Sequence, residues 1–190
     1  WITNEKARTF AKRLRSQYQA VLVGVNTVIY DNPHLGVRNK AKKDPLRIIL
    51  DPHLRVPLES QVLRDNNVLL VTTSLASEEK IELLKQKRIT VLMLKNKEIL
   101  LKDLLNYLKE QEIISVLVEG GGKTLGICID ERLFDKVYAF YAPIIIGGKE
   151  GVSAIGGSGA SYIKDAVHLK NVTLKKFDDN MLIIGYPSMF

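Results

Sequence analysis

Glu119-Gly120-Gly121-Gly122-Lys123 has the make-up of a phosphate-binding turn. An apolar run over residues 114–118 ends there, three glycines follow, and a helical pattern runs from about Lys123 to Glu131. Glycines let a backbone approach a phosphate closely, and the free N–H groups of a helix's first turn point at it. The plainer alternative is a tight strand-to-helix turn, which needs one glycine but hardly three. Gly122-Lys123-Thr124 looks like the end of a P-loop, yet that motif needs a glycine five positions earlier, where Leu117 stands. The G-x-G-x-x-G dinucleotide fingerprint fails too, with Leu125 in place of its last glycine. A phosphate cradle of neither standard type is the reading. Glu119, at the carboxyl end of its strand, falls in the crevice where α/β sheets bind ligands, or is a solvated loop carboxylate.

A second set of polar residues follows the apolar run 20–25. Thr27 and Asp31 are four apart, so a helical turn places them on one face. Arg38, further along with Leu35, has the fork that clamps a phosphate bidentately. A capping Thr, a turn Asp and a surface Arg are the plain readings of the same residues. Cys128 lies within Leu125-Gly126-Ile127-Cys128-Ile129, where a small buried side chain is expected and no nearby His supports a nucleophile. His34, His53 and His168 show no metal-ligand spacing, so hydrolytic triads and zinc chemistry are poor fits.

The elements that must position these residues follow from periodicity. Ala7, Phe10, Ala11, Leu14 and Tyr18 recur at helical spacing, with Thr3 or Asn4 as cap. Strands are predicted over 20–25, 46–50, 68–72, 89–94, 114–118 and 137–141, several of them continuous apolar runs of the kind covered on both faces. Ser77 caps a helix with Ile81, Leu83 and Leu84 inward, and a second helix turns Leu101, Leu104, Leu105 and Leu108 inward. Residues 26–33 leave the sheet as a short helical turn stopped by Pro33. The glycine-rich stretch 147–159 carries no periodicity and reads as a mobile loop. Residues 173–177 and 181–184, on either side of Asp178-Asp179-Asn180, read as a β-hairpin. Alternating strands and helices closed by a hairpin predict one α/β domain, a mostly parallel sheet with an antiparallel edge.

Composition sets outer bounds. The chain has 190 residues, 46% hydrophobic and 26% charged, ordinary for one soluble domain. No apolar run is long enough to cross a bilayer, and the N-terminus lacks a signal-peptide pattern, so a cytoplasmic protein is expected. The single cysteine leaves no intrachain disulfide framework. A net charge of +7 suits an anionic partner, but the lysines are dispersed and no aromatic stripe accompanies them. A phosphorylated small molecule accounts for that charge as well as a nucleic acid would.

Taken together, these stretches resemble the reductase domain of the bacterial bifunctional riboflavin-biosynthesis deaminase–reductase, a fold relative of dihydrofolate reductase. The resemblance is carried by Trp1-Ile2-Thr3, Leu14-Arg15, residues 20–24, Thr27-Val28, Asp31-Asn32-Pro33, Val37-Arg38, residues 45–51, residues 118–122, Leu133-Phe134-Asp135 and Ala142-Pro143, in the expected order. It implies a dihydrofolate-reductase-like fold and NADPH-dependent reduction of the ribosyl group of 5-amino-6-(5-phosphoribosylamino)uracil to ribityl. It further implies cofactor contacts at Trp1, Thr27, Asp31, Thr72 or Thr73, and at Gly121, Gly122, Lys123, Thr124, Leu125, Gly126 and Ile127. Substrate contacts are implied at Arg15, Leu35, Arg38 and Glu119, the arginines toward the phosphate and Glu119 as orienting group or proton donor. A homodimer is expected, with a deaminase domain upstream in the full-length protein, as is a first strand preceding Trp1. Ile144 stands where relatives often carry lysine. Residues 144–146 suit either an interface or the core, and no arginine is assigned by spacing to a 2′-phosphate. A reductase of a related pterin or pyrimidine nucleotide, and a noncatalytic nucleotide-binding module, remain the alternatives.

Overall fold

Five parallel strands carry the site. In the computed structural model, which describes residues 1–37, 43–147 and 151–188, they are β1 (Ala20–Gly24), β2 (Leu46–Leu50), β3 (Val68–Thr72), β4 (Thr90–Met93) and β5 (Val116–Val118), in the order β4-β3-β2-β1-β5. Side chains alternate across a strand, and both faces of this sheet are covered. Val21, Val23, Ile49 and Leu70 pack on one side with Val28, Ile81 and Leu84, from helices α2 (Val25–Asp31) and α3 (Glu78–Gln86). Ala20, Leu22, Ile48, Leu69 and Val71 pack on the other with Leu101, Leu104, Leu108 and Cys128, from α4 (Leu101–Glu110) and α5 (Gly122–Asp130). This double burial is why the central strands read as unbroken apolar runs. Arg47, fully buried on β2, is neutralised by an ion pair with Asp65, so it serves the core rather than a ligand.

The remaining strands form a sheet of their own rather than an edge of the parallel one. β6 (Val137–Tyr141), β7 (Leu169–Phe177) and β8 (Asn180–Pro187) are antiparallel in the order β6-β8-β7. The β7–β8 hairpin turns at Asp178, whose φ of 56° lies in the left-handed region open to short polar side chains. Helix α1 (Glu5–Leu14) packs on this second sheet. Phe10 meets Phe177 at 5.2 Å between ring centroids, and Asn4 both caps α1 and donates to the Phe177 carbonyl at 2.6 Å. Predicted elements and observed ones agree to within three residues at their ends, except that β7 begins at Leu169, four residues before the predicted start of its strand. No helix among the described residues is long and apolar enough to cross a membrane.

The glycine-rich stretch has no strand or α-helix in its described residues, 147 and 151–159, but the latter part is docked along α5. Ser158 and Gly159 donate their N–H groups to the Asp130 carboxylate at 2.6 and 3.0 Å, and Gly156 donates to the Gly122 carbonyl at 2.8 Å. A mobile loop was the expectation from composition; the anchoring contacts are backbone-to-helix and leave no periodic signature.

Candidate active site

The carboxyl ends of β1 and β5 meet the starts of α2 and α5 at one place. Leu22 pairs with Val118, and the Glu119 N–H extends that ladder to the Leu22 carbonyl at 2.9 Å. Beyond it, Gly120 and Gly121 take φ of 125° and 62°, conformations that side chains make costly, and Gly121 becomes the N-cap of α5. No side chain caps this helix. The space in front of Gly120 is open, and the nearest atom to a β-carbon at Gly121 would be Thr27 Oγ1, 3.9 Å away. Gly24, at the end of β1, admits Thr124 Oγ1 to 3.1 Å from where its own β-carbon would stand. Thr27, Thr124 and the glycine turn therefore share one recess, as their separate positions in the chain could not reveal.

Each glycine has its own reason. Gly120 and Gly121 are dictated by backbone conformation. Gly122 and Gly126 are dictated by the docked loop: a β-carbon at Gly122 would lie 2.6 Å from the Ser153 carbonyl, and one at Gly126 would lie 2.4 Å from the Gly156 backbone. The run of three glycines is thus needed by the fold, and the recess with its uncapped helix start is what suits a phosphate.

Arg15 and Glu119 form a two-pronged ion pair beside this recess. Arg15 Nε and Nη2 donate to the two Glu119 carboxylate oxygens at 2.6 Å each, and Nη1 donates to the Gly36 carbonyl at 3.2 Å. Both side chains are mostly enclosed, so the pair is little screened by water. It ties three elements together: the 3-10 turn after α1, the end of β5, and the segment after α2. Gly36 is a participant that the sequence did not flag.

The other expected site residues are placed less centrally. Asp31 ends α2 on the same helical face as Thr27 and is exposed. Lys123 is exposed on the first turn of α5, while Leu125 and Ile127 are half-buried. Leu35 is buried in the core with φ 57°, which leaves its backbone rather than its side chain to face a ligand. Thr72 and Thr73 are enclosed, and both hydroxyls donate to the Pro52 carbonyl at 3.0 Å. Trp1 is fully exposed at the far end of α1 from Arg15, its ring 4.8 Å from the Arg8 guanidinium. Arg38 lies outside the described residues. Cys128 faces the core, where burial pushes its thiol pKa up, away from a reactive thiolate.

The fold, a parallel sheet flanked by helices plus a separate antiparallel sheet, is dihydrofolate-reductase-like. Dihydrofolate reductase from Enterococcus faecalis superposes at a TM-score of 0.50 with 9% identity, covering 96% of this chain and 83% of that one, a likeness of fold alone. Within that class the chain belongs to the RibD C-terminal domain family, whose profile matches residues 1–183. It is 42% identical over 184 residues to the riboflavin biosynthesis protein RibD of Aquifex aeolicus, covering 96% of this chain and 50% of that protein. It is 34% identical over 174 residues to the 2,5-diamino-6-ribosylamino-4(3H)-pyrimidinone 5′-phosphate reductase of Archaeoglobus fulgidus, covering 86% of this chain and 78% of that protein. The structure of Acinetobacter baumannii RibD superposes at a TM-score of 0.86 with 25% identity, covering 99% of this chain and 52% of that one. The chain spans about half the length of the RibD relatives it matches.

Proposed function

We propose that this chain is the reductase domain of a riboflavin-biosynthesis enzyme, reducing 5-amino-6-(5-phosphoribosylamino)uracil to its ribityl counterpart with NADPH. The observation that carries the reading is the meeting of Thr27 with the uncapped glycine turn of α5, beside the Arg15–Glu119 pair, in a member of this family. The open space before Gly120 and Gly121 and the free helix start suit a dinucleotide pyrophosphate. Thr27, Asp31, Lys123 and Thr124 border that cradle on the cofactor side, and Leu125, Gly126 and Ile127 continue it. On the substrate side, Arg15 and Glu119 form one wall, with Arg38 and the backbone at Leu35 nearby in sequence.

Ring opening of the ribosylamine would break the bond between the first sugar carbon and the ring oxygen, with the amine proton passing to that oxygen, and leave a carbon–nitrogen imine. NADPH, when bound, would supply hydride to that carbon, and the nitrogen would take a proton from solvent water. Such chemistry asks the protein for positioning and for exclusion of water more than for an activated nucleophile. Glu119 is suited to orienting the substrate, because both its oxygens already accept from Arg15. Arg15, whose charge is balanced by Glu119, is held by Glu119 and Gly36 in a fixed direction with two of its five N–H donors left over to meet a phosphate oxygen.

The name of the Archaeoglobus relative supports a second substrate, the diaminopyrimidinone, which carries an amino group at C2 where the aminouracil has an oxo group. Following NADPH consumption by the purified chain with each phosphorylated pyrimidine tests both readings. Oxidation that depends on the aminouracil is expected. Oxidation with the diaminopyrimidinone alone would move the substrate assignment, and NADPH binding without turnover of either would leave a nucleotide-binding module. A cytoplasmic location and an upstream deaminase domain complete the proposal, the latter supported by the half-length match to RibD proteins. A homodimer is supported by the exposure of Ile144, Ile145 and Ile146, which removes the core reading of that segment.

A further inference from the structure

Gly36, whose carbonyl accepts from Arg15, is held from two further sides. Its N–H donates to Nδ1 of His34, two residues back, at 3.1 Å. The next N–H along the backbone, that of Val37, donates to Asp44 Oδ1 at 2.7 Å. Both side chains crowd one spot: a β-carbon on Gly36 would lie 2.5 Å from Asp44 Oδ2 and 2.5 Å from His34 Cε1. Leu35, between His34 and Gly36, is anchored in the core with a left-handed φ of 57°. A glycine at position 36 is what lets the imidazole and the carboxylate close on the chain.

These contacts reach Arg15 through the peptide unit that joins Gly36 to Val37. Arg15 Nη1 donates to its carbonyl at 3.2 Å, and its N–H donates to the Asp44 carboxylate. A trans peptide points its C=O and N–H in opposite directions. The guanidinium therefore stands at the negative end of this dipole and the carboxylate at the positive end. Each bond polarises the amide in favour of the other. His34 restrains the preceding peptide unit through its N–H. Glu119 holds Nε and Nη2 of Arg15 on the other side, so the direction of the guanidinium depends on both supports.

The bond from Gly36 also fixes the state of His34. A backbone N–H can only donate, so Nδ1 carries a lone pair and the ring proton sits on Nε2. Protonation puts an N–H on both ring nitrogens and sets two donors against each other at this contact. Charged groups within reach of the ring are Asp44 on the segment leading into β2, Arg15 across Gly36, and Asp65 with its ion partner Arg47 of β2. Asp44, beside the ring, is the acceptor for a new N–H there, in competition with Val37. Both supports of the Gly36 segment weaken together. We propose that His34 and Asp44 are positioning residues for Arg15, and that their hold on Gly36 and Val37 lasts only while His34 is neutral, so that affinity for the phosphorylated ligand falls in acid. The inference rests on the substrate side of the site proposed above.

Calorimetric titration of the whole chain with 5-amino-6-(5-phosphoribitylamino)uracil, with and without NADPH, tests it at about pH 8 and about pH 5.5, either side of the range in which imidazoles titrate. The ligand's own phosphate gains a proton over that range, a change common to all variants. His34→Asn keeps an acceptor for the N–H two residues on and does not titrate, whereas His34→Phe has no acceptor at any pH. At about pH 8, His34→Asn should bind within about twofold of the wild type and His34→Phe about fivefold more weakly, the scale of one hydrogen bond. Between the two pH values the wild type should lose about fivefold more affinity than His34→Asn. Asp44→Ala should weaken binding about fivefold at about pH 8, with thermal midpoints to verify folding. The comparison of wild type with His34→Asn stands by itself if Asp44→Ala does not fold. Equal pH dependence in those two proteins, or wild-type affinity in His34→Phe, overturns the proposal and leaves the substrate site standing. Unchanged affinity in a folded Asp44→Ala removes Asp44 from it. A wild type that binds no product in either condition overturns the substrate site and this role with it.

Discussion

Arg15 and Glu119 come from positions 104 apart in the chain, yet each satisfies the other's hydrogen-bonding groups. Replacing Glu119 by Gln keeps shape and removes charge, so Arg15 keeps at most one good acceptor there and loses its fixed direction. Breaking a charge-assisted pair of this kind costs about 1–3 kcal/mol. In steady-state kinetics Glu119→Gln should accordingly lower kcat/KM with the phosphorylated substrate by at least about tenfold. Unaltered kcat and KM would remove Glu119 from both orientation and proton transfer. Both residues stand at the ends of elements that the sequence already outlines. Their pairing was not legible, because nothing in local spacing relates a turn after the first helix to the end of the fifth strand. The enclosure of Thr72 was hidden for the same reason, since its partner carbonyl on Pro52 belongs to another strand's end.

At the scale of elements, α5 shows two different demands for glycine. A β-carbon on Gly126 would lie 2.4 Å from the Gly156 backbone, so Gly126→Ala must push the docked loop away. Overpacking against backbone typically costs about 1–3 kcal/mol, which chemical denaturation should register as a lowered midpoint with little change of slope. Gly121→Ala meets open space and instead strains a φ of 62°, at a cost of about 1 kcal/mol. Its larger effect should fall on dinucleotide affinity, because the new methyl group enters the recess facing Thr27. If Gly126→Ala proved as stable as the wild type, the 151–159 segment would not be docked as described. Strand and helix limits were readable here from apolar periodicity. The docking was not, because it is made by backbone atoms and one carboxylate, Asp130, that leave no period in the sequence.

At the scale of the whole molecule, the two sheets are joined through α1 and the turn that follows it. Tyr18, just before β1, donates its hydroxyl to the Tyr138 hydroxyl of β6 at 3.1 Å, and the Lys136 ammonium lies over the rings of Tyr138 and Tyr186. Burial first, and then the bond to Tyr138, push the Tyr18 pKa from 10.0 up to about 12. Folding therefore favours the neutral phenol. That contribution is complete below pH 10, the unfolded value, and is lost as pH rises through about 12. Hydrogen bonds to the two phenols raise the Lys136 pKa, which adds a contribution of the same sign. Thermal midpoints should fall steeply across that alkaline window, and Tyr18→Phe should flatten part of the fall. Equal slopes in variant and wild type would show that Tyr18 carries none of it.

The sequence by itself determined the kinds of element and their order, because an apolar stripe with period 3.6 or a continuous apolar run already states how a segment must bury itself. It determined the glycine turn after β5 and, through shared motifs, the family. The tertiary structure alone decided that the antiparallel strands form a separate sheet. It decided too that Leu35 and Thr72 face inward, and that His34 and Asp44 close on the backbone of Gly36 and Val37. Periodicity reports the burial of whole faces. A site is made of contacts between single side chains at the ends of distant strands, and those contacts exist only once the sheet has brought the ends together.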